Sequence, residues 1–158
     1  MFTTRPELKA TFGVAASTHW IASQTAMRML ELGGNAFDAV VAGGFALQVV
    51  QPHLNGPAGD LVALAWDAKQ GEAFALCGQG PAPAAATIER MTALGHDLIP
   101  GTGLLPAVVP GAFDAWLLLL RDQGTMTLAQ VLEPAPAGPG ASSPKRSTGS
   151  FPARASWM

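Results

Sequence analysis

The stretch Ala36-Phe37-Asp38-Ala39-Val40-Val41-Ala42-Gly43-Gly44-Phe45-Ala46-Leu47-Gln48-Val49-Val50 constrains the fold more than any other part of the chain. Asn35 stands where a helix N-cap is wanted, Asp38 in the first turn is explained by the helix dipole, and Pro52 follows where a helix must stop. Apolar side chains fall all round this helix instead of along one stripe, so it must be buried on most of its faces. Gly43 and Gly44 at its centre each cost about 1 kcal/mol against alanine. Close approach of a neighbouring element would offset that cost, because glycine carries no Cβ. The rest of the chain offers little polar coat for such a core. Of 158 residues, 49% are apolar and 13% charged, against about 25% charge in typical globular chains. Part of the apolar surface therefore needs cover from further chain or from a partner.

Other elements follow from local signals. Residues 1–12 read as an irregular lead-in, and Gly13-Val14-Ala15-Ala16-Ser17 as a short buried strand. Ser23 is placed to cap a helix reaching Leu32, with Gly33-Gly34 as its stop. Leu61–Trp66 and Glu72–Leu76 are apolar runs joined by the polar, glycine-ended turn Asp67-Ala68-Lys69-Gln70-Gly71, which is a hairpin signal. Both runs are apolar on both faces, so the hairpin is expected within a sheet covered on each side. Thr87 caps a short helix to Leu94, stopped by Gly95. Gly111–Gln123 is a helix with Phe113, Trp116, Leu117 and Leu120 on one face and Gly124 at its C′ position. Thr127-Leu128-Ala129-Gln130 opens a last helix with a capping box.

The character changes at Pro136. From there to Met158 the chain is rich in Pro, Gly and Ser, lacks apolar periodicity and contains no acid, a composition that predicts a disordered tail. The change comes soon after a capped helix start, which points to a reading-frame shift or a broken gene.

Several function classes are excluded. A net charge of −2 gives no nucleic-acid footprint. No run of 18 apolar residues suggests a membrane span. The opening residues lack the pattern of a secretory signal, so the expected location is cytoplasmic. A single cysteine, Cys77, forms no internal disulfide. It sits at an apolar strand end without an activating charge and reads as a buried, inert thiol. His53 and Asp60 flank a glycine loop but have no third ligand at suitable spacing, so no metal is expected, and His53 reads as a loop-fixing histidine. His19 beside Trp20 reads as a packed histidine. Gly101-Thr102-Gly103 reads as a turn, since Pro106 follows where a phosphate-loop helix would begin.

The order of segments Val14-Ala15-Ala16-Ser17-Thr18-His19, Leu32-Gly33-Gly34-Asn35-Ala36-Phe37-Asp38-Ala39 and Val49-Val50-Gln51-Pro52-His53 resembles the opening of the γ-glutamyltransferase family. Gly56-Pro57-Ala58-Gly59-Asp60, Ala82-Pro83-Ala84-Ala85-Ala86-Thr87, Val109-Pro110-Gly111 and Gly124-Thr125 through Val131-Leu132-Glu133-Pro134-Ala135 continue it, over residues 13–135. The resemblance implies an α+β fold: the N-terminal part of an αββα sandwich of the N-terminal-nucleophile hydrolases, incomplete in this chain. It also implies a precursor that cleaves itself, with a new N-terminal threonine as nucleophile and its own amine as base. That threonine half lies beyond residue 135. It would be the missing partner, and no catalytic residue is assigned here: Thr125 and Thr127 belong to a helix start and Thr148 to the tail. No cofactor is implied.

One position carries over for substrate binding. Where the family's true γ-glutamyl enzymes place a carboxylate-gripping arginine, this chain has Gln79, followed by Gly80. Gln supplies neither the charge nor the bidentate fork of a guanidinium, and Arg90 lies inside the next helix. This moves the expected substrate from a γ-glutamyl compound toward another small amide, with Gln79 either donating to a neutral acyl oxygen or playing a purely structural loop role. Pro57 and Ala58 also depart from the family's glycine loop, leaving either a reshaped loop or an ordinary backbone there. The expected function is a γ-glutamyltransferase-like amide hydrolase or acyltransferase fragment, inactive alone. The alternative is a non-enzymatic α/β binding module that keeps the scaffold.

Overall fold

The computed structural model describes residues 7–134; the first part of the lead-in and the tail 136–158 lie outside the described residues. Five helices and one hairpin follow in the order α1 (Trp20–Glu31), α2 (Ala36–Val50), β1 (Val62–Asp67), β2 (Glu72–Cys77), α3 (Ile88–Ala93), α4 (Ala112–Gln123) and α5 (Leu128–Leu132). None of these helices is long and apolar enough to cross a membrane.

As its composition requires, α2 is the centre. It packs against α1, α4 and α5, and its Ala39, Val41, Ala42 and Phe45 join Met29, Leu119, Leu120 and Val131 in the main core. The glycine pair serves the expected close approach. A Cβ on Gly43 would sit 3.3 Å from the Ala26 Cβ of α1, and one on Gly44 would sit 2.6 Å from the Trp116 ring of α4. Phe45 meets Phe113 edge-on with ring centroids 5.9 Å apart, fixing α2 against α4. Asn35 caps α2 through Oδ1, which accepts from the Phe37 and Asp38 N–H groups at 2.8 and 3.0 Å.

Helix α1 starts earlier than expected. Its N-cap is His19, whose Nδ1 accepts from the Ile21 N–H at 3.2 Å, so Ser23 lies inside the helix. The serine instead shares a hydrogen bond with Ser17 at 2.8 Å. The stop is as expected: Gly33 has φ +89°, and the Gly33 and Gly34 N–H groups return to the Leu30 and Met29 carbonyls at 3.0 and 2.9 Å. Gly95, with φ +82°, ends α3 in the same way. Gly124 is different. It caps α4 in an extended conformation at φ −73°, and a Cβ there would meet the Leu120 carbonyl at 2.5 Å and Asp38 Oδ1 at 2.8 Å. Close packing requires this glycine, not a left-handed turn.

Strands β1 and β2 pair antiparallel, with Ala63 opposite Leu76 and Ala65 opposite Phe74. Gly71 closes the turn at φ +72°, and Asp67 Oδ1 accepts from the Lys69 N–H at 2.8 Å. Phe74 and Leu76 face the helices and pack on the core. The opposite face is open: Val62, Leu64 and Trp66 are 71%, 81% and 61% exposed. Cover on both sides was the expectation, and one side is absent because the described residues form only a two-stranded sheet. Gly13–Ser17 is likewise not a strand: it joins neither open edge of the two-stranded sheet.

Candidate functional site

The elements around Gln79 form one block at the start of α4. The loop after β2 turns back at Gly78, whose N–H donates to the Leu61 carbonyl at 2.6 Å, and Val109 N–H donates to the Pro81 carbonyl at 3.0 Å. Residues 78–81 thus lie along 109–111. The glycine loop closes the same block from below. Its Gly59 and Pro57 carbonyls accept from the Ala112 and Phe113 N–H groups at 3.1 and 3.2 Å. These are the first free donors of α4, whose N-cap Gly111 offers no side chain. With those donors occupied, they are not available as an anion cradle at this helix start. The loop's own glycines, Gly56 and Gly59, are not among the positive-φ glycines, so neither takes a left-handed turn.

Gln79 projects from this block as an exposed side chain. Its Oε1 lies 3.9 Å from the Cys77 Sγ, the two side chains two residues apart at the end of β2. The cysteine is exposed, not buried as its apolar strand suggested. Its register opposite Val62 puts it on the hairpin face that nothing among the described residues covers. The Gln79 amide brings no charge to this corner.

An open cavity of about 340 Å³ lies nearby, between α1, α2 and the glycine loop; Ser17, Ser23, Gln48, Asn55, Asp60 and Trp116 contribute to its wall. The Ser17 hydroxyl donates to the His19 carbonyl at 2.7 Å, and Ser23 is bonded to Ser17. With no base bonded to either hydroxyl, neither is an activated nucleophile. The histidines do not converge here. His19 spends its Nδ1 on the α1 cap and stacks on Trp20, while His53 is exposed and makes no side-chain hydrogen bond among the described residues, so it does not fix the loop as expected. Among the described residues no group of His, Cys, Asp and Glu could hold a metal.

The threonines are committed elsewhere. Thr127 caps α5 and completes its capping box with Gln130. Thr125 donates its hydroxyl to Asp38 Oδ2 at 2.7 Å and its N–H to Asp38 Oδ1 at 3.0 Å; Thr148 lies outside the described residues. Asp38 is fully buried and also accepts from the Met126 and Asn35 N–H groups at 3.0 and 2.8 Å. Burial pushes its carboxyl up, but the hydrogen bonds from Thr125, Asn35 and Met126 outweigh it and hold the group below the ordinary carboxylate value. Sequence reasoning gave Asp38 only a helix-dipole role. It missed this clamp because the partners lie 87 and 88 residues away.

Comparison with known proteins follows the same lines. The family model for gamma-glutamyltranspeptidase matches residues 22–137. The chain is 38% identical over 123 residues to a glutathione hydrolase-like YwrD proenzyme of Bacillus subtilis (strain 168), covering 77% of this chain and 23% of that protein. It is 36% identical over 119 residues to an oxamate amidohydrolase proenzyme of Klebsiella pneumoniae, covering 75% and 22%. Among solved structures, LmbA2991HD superposes with a TM-score of 0.77 at 63% identity, over 85% of this chain and 23% of that one. Gamma-glutamyltranspeptidase of Helicobacter pylori superposes with 0.73 at 37% identity, over 82% and 38%. The chain thus spans under a quarter of the length of these curated relatives and corresponds to their N-terminal portion. Its helices and small sheet are a partial α+β fold of the N-terminal-nucleophile hydrolase type.

Proposed function

The chain belongs to the gamma-glutamyltranspeptidase family, and from that membership we propose that it is the helix-and-hairpin part of an amide hydrolase or acylase, inactive until the catalytic half is supplied. The observation that carries the reading is the difference between the two faces of the hairpin. One face is seated on α2 and α4 through Phe74 and Leu76. The other presents Val62, Leu64 and Trp66 to solvent, alternating on β1 with no charge among them. A helical layer bearing one uncovered sheet is half of an αββα sandwich, and the second sheet would come with the nucleophile. Thr125 and Thr127 are bound into structure, which supports placing the catalytic threonine outside the described residues.

Gln79 is the proposed acyl-group contact. Its amide can donate to a neutral oxygen but cannot neutralise a carboxylate, and the first N–H groups of α4 do not compensate, being bonded to the glycine loop. A small amide whose acyl part lacks an α-carboxylate fits this corner better than a γ-glutamyl compound.

Incubation of the chain with γ-glutamyl-p-nitroanilide is expected to release no chromophore, and enzyme-dependent release would overturn the reading. Mixing it with a separately produced catalytic half of a close relative is expected to restore hydrolysis of a neutral acyl anilide ahead of the γ-glutamyl one. The opposite preference would sink the role given to Gln79.

A further inference from the structure

The chain around Gln79 is tightly packed at three glycines, against backbone at Gly80 and Gly111 and against the Ala115 side chain at Gly78. A Cβ on Gly78 would stand 2.5 Å from the Ala115 Cβ and 3.1 Å from the Leu61 carbonyl oxygen. A Cβ on Gly80 would fall onto the Val109 carbonyl, and one on Gly111 onto the Gly78 carbonyl and within 2.9 Å of the Gly80 nitrogen. None of the three has a positive φ, so left-handed backbone is not what requires glycine here. The requirement is contact: two chain segments touch without side chains between them, and the 3.0 Å bond from Val109 to Pro81 ties them together.

We propose that Gly78, Gly80 and Gly111 are positioning residues for Gln79, holding the loop so that the one long side chain of 78–81 leaves at a fixed place and direction beside the Cys77 thiol. The inference rests on the reading of Gln79 as the acyl contact and deepens it. Specificity would then be set by the side chain at position 79 alone, on a loop that the glycines keep from adapting. Exchange of Gln79 would change the charge offered to the acyl group without moving the loop. A Cβ at Gly80 would move the loop whatever side chain stands at 79, because the obstacle is backbone and cannot rotate away.

Cys77 reports the geometry without any need for activity. In the full chain, Gln79→Arg and Gln79→Glu place opposite charges near the thiol, and a nearby cation raises its thiolate fraction while an anion lowers it. A unit charge at about 4 Å in water changes an ionisation roughly fivefold, so opposite charges separate the two thiolate fractions roughly 25-fold. The lower nucleophilicity of the more acidic thiol offsets about half of that on a logarithmic scale, so iodoacetamide should alkylate Cys77 about fivefold faster in Q79R than in Q79E at low salt. In about 8 M urea, where only sequence proximity remains, the ratio is expected to fall to about two. Gly80→Ala should bring the folded ratio down to the urea value while circular dichroism stays native.

Equal ratios in native buffer and in urea would overturn the fixed direction, and this arm does not depend on the folding of G80A. An unchanged high ratio in folded G80A would overturn the role of the glycines. The acyl-contact reading is judged separately, by substrate preference after complementation, so either idea can fail alone.

Discussion

Asp38→Asn tests the clamp that joins the start of α2 to the α4–α5 connection. In the native chain the carboxylate accepts from the Asn35, Thr125 and Met126 N–H groups and from the Thr125 hydroxyl, at 2.7 to 3.0 Å. Hydrogen bonds to a charged group contribute about 1.5–3 kcal/mol each, though not additively. Asn keeps the size and one acceptor oxygen, so the bonds to Oδ1 survive. Its NH2 group meets the Asn35 N–H, donor against donor, while the Thr125 hydroxyl can rotate and accept. One bond lost and one N–H left unpaired should cost about 2–3 kcal/mol. Asp38→Ala loses all four and should cost about 3–5 kcal/mol. Urea unfolding followed by tryptophan fluorescence measures both; at a slope of about 1–3 kcal/mol per molar, the Asn variant's midpoint should drop by roughly 1–2 M. The pH dependence has a definite sign. The folded carboxyl titrates below its unfolded value, so its stabilisation is complete above the unfolded value of about 3.9 and is lost as pH falls through the lower, folded one. Native chain should lose its advantage over D38N on acidification below about pH 4. A D38N midpoint within 0.3 M of native at pH 7, which corresponds to about 0.5 kcal/mol, or a gap that stays constant down to pH 2, would refute the reasoning.

Gly44→Ala sets a helix-propensity gain of about 1 kcal/mol against overpacking of Trp116 at 2.6 Å, which costs typically 1–3 kcal/mol; net destabilisation of up to about 2 kcal/mol with a shifted tryptophan emission is expected, and a stabilised variant would contradict the contact. Asn35→Ala removes the α2 cap and the 2.7 Å bond from Nδ2 to the Gln123 carbonyl, and should lower stability by about 1–2 kcal/mol in the same urea assay. Leu64→Lys on the open hairpin face should leave the isolated chain within about 0.5 kcal/mol of native while reducing its self-association in sedimentation. It should also abolish complementation by a catalytic half, and normal complementation would mean that this face is not the docking face.

The sequence by itself determined the parts whose causes lie within a few residues. Asn35, Thr87 and Thr127 cap their helices because each side chain reaches an N–H two or three positions on, and Gly33, Gly71 and Gly95 take positive φ because only the local turn demands it. The burial of most of α2 was legible too, from apolar residues all round the helix, although Val40 and Val49 stay exposed. The family could be read from the order of short motifs. Only the tertiary structure decided what distant segments do to one another. It turned Asp38 from a dipole-complementing residue into a buried clamp on Thr125, 87 positions away, and Gly124 from a turn residue into a point of close contact. It also laid Gly80 on Val109 and left the outer hairpin face, with Cys77, uncovered. Such contacts depend on which surfaces meet after the chain has folded back, and no local spacing encodes a neighbour that far along the chain.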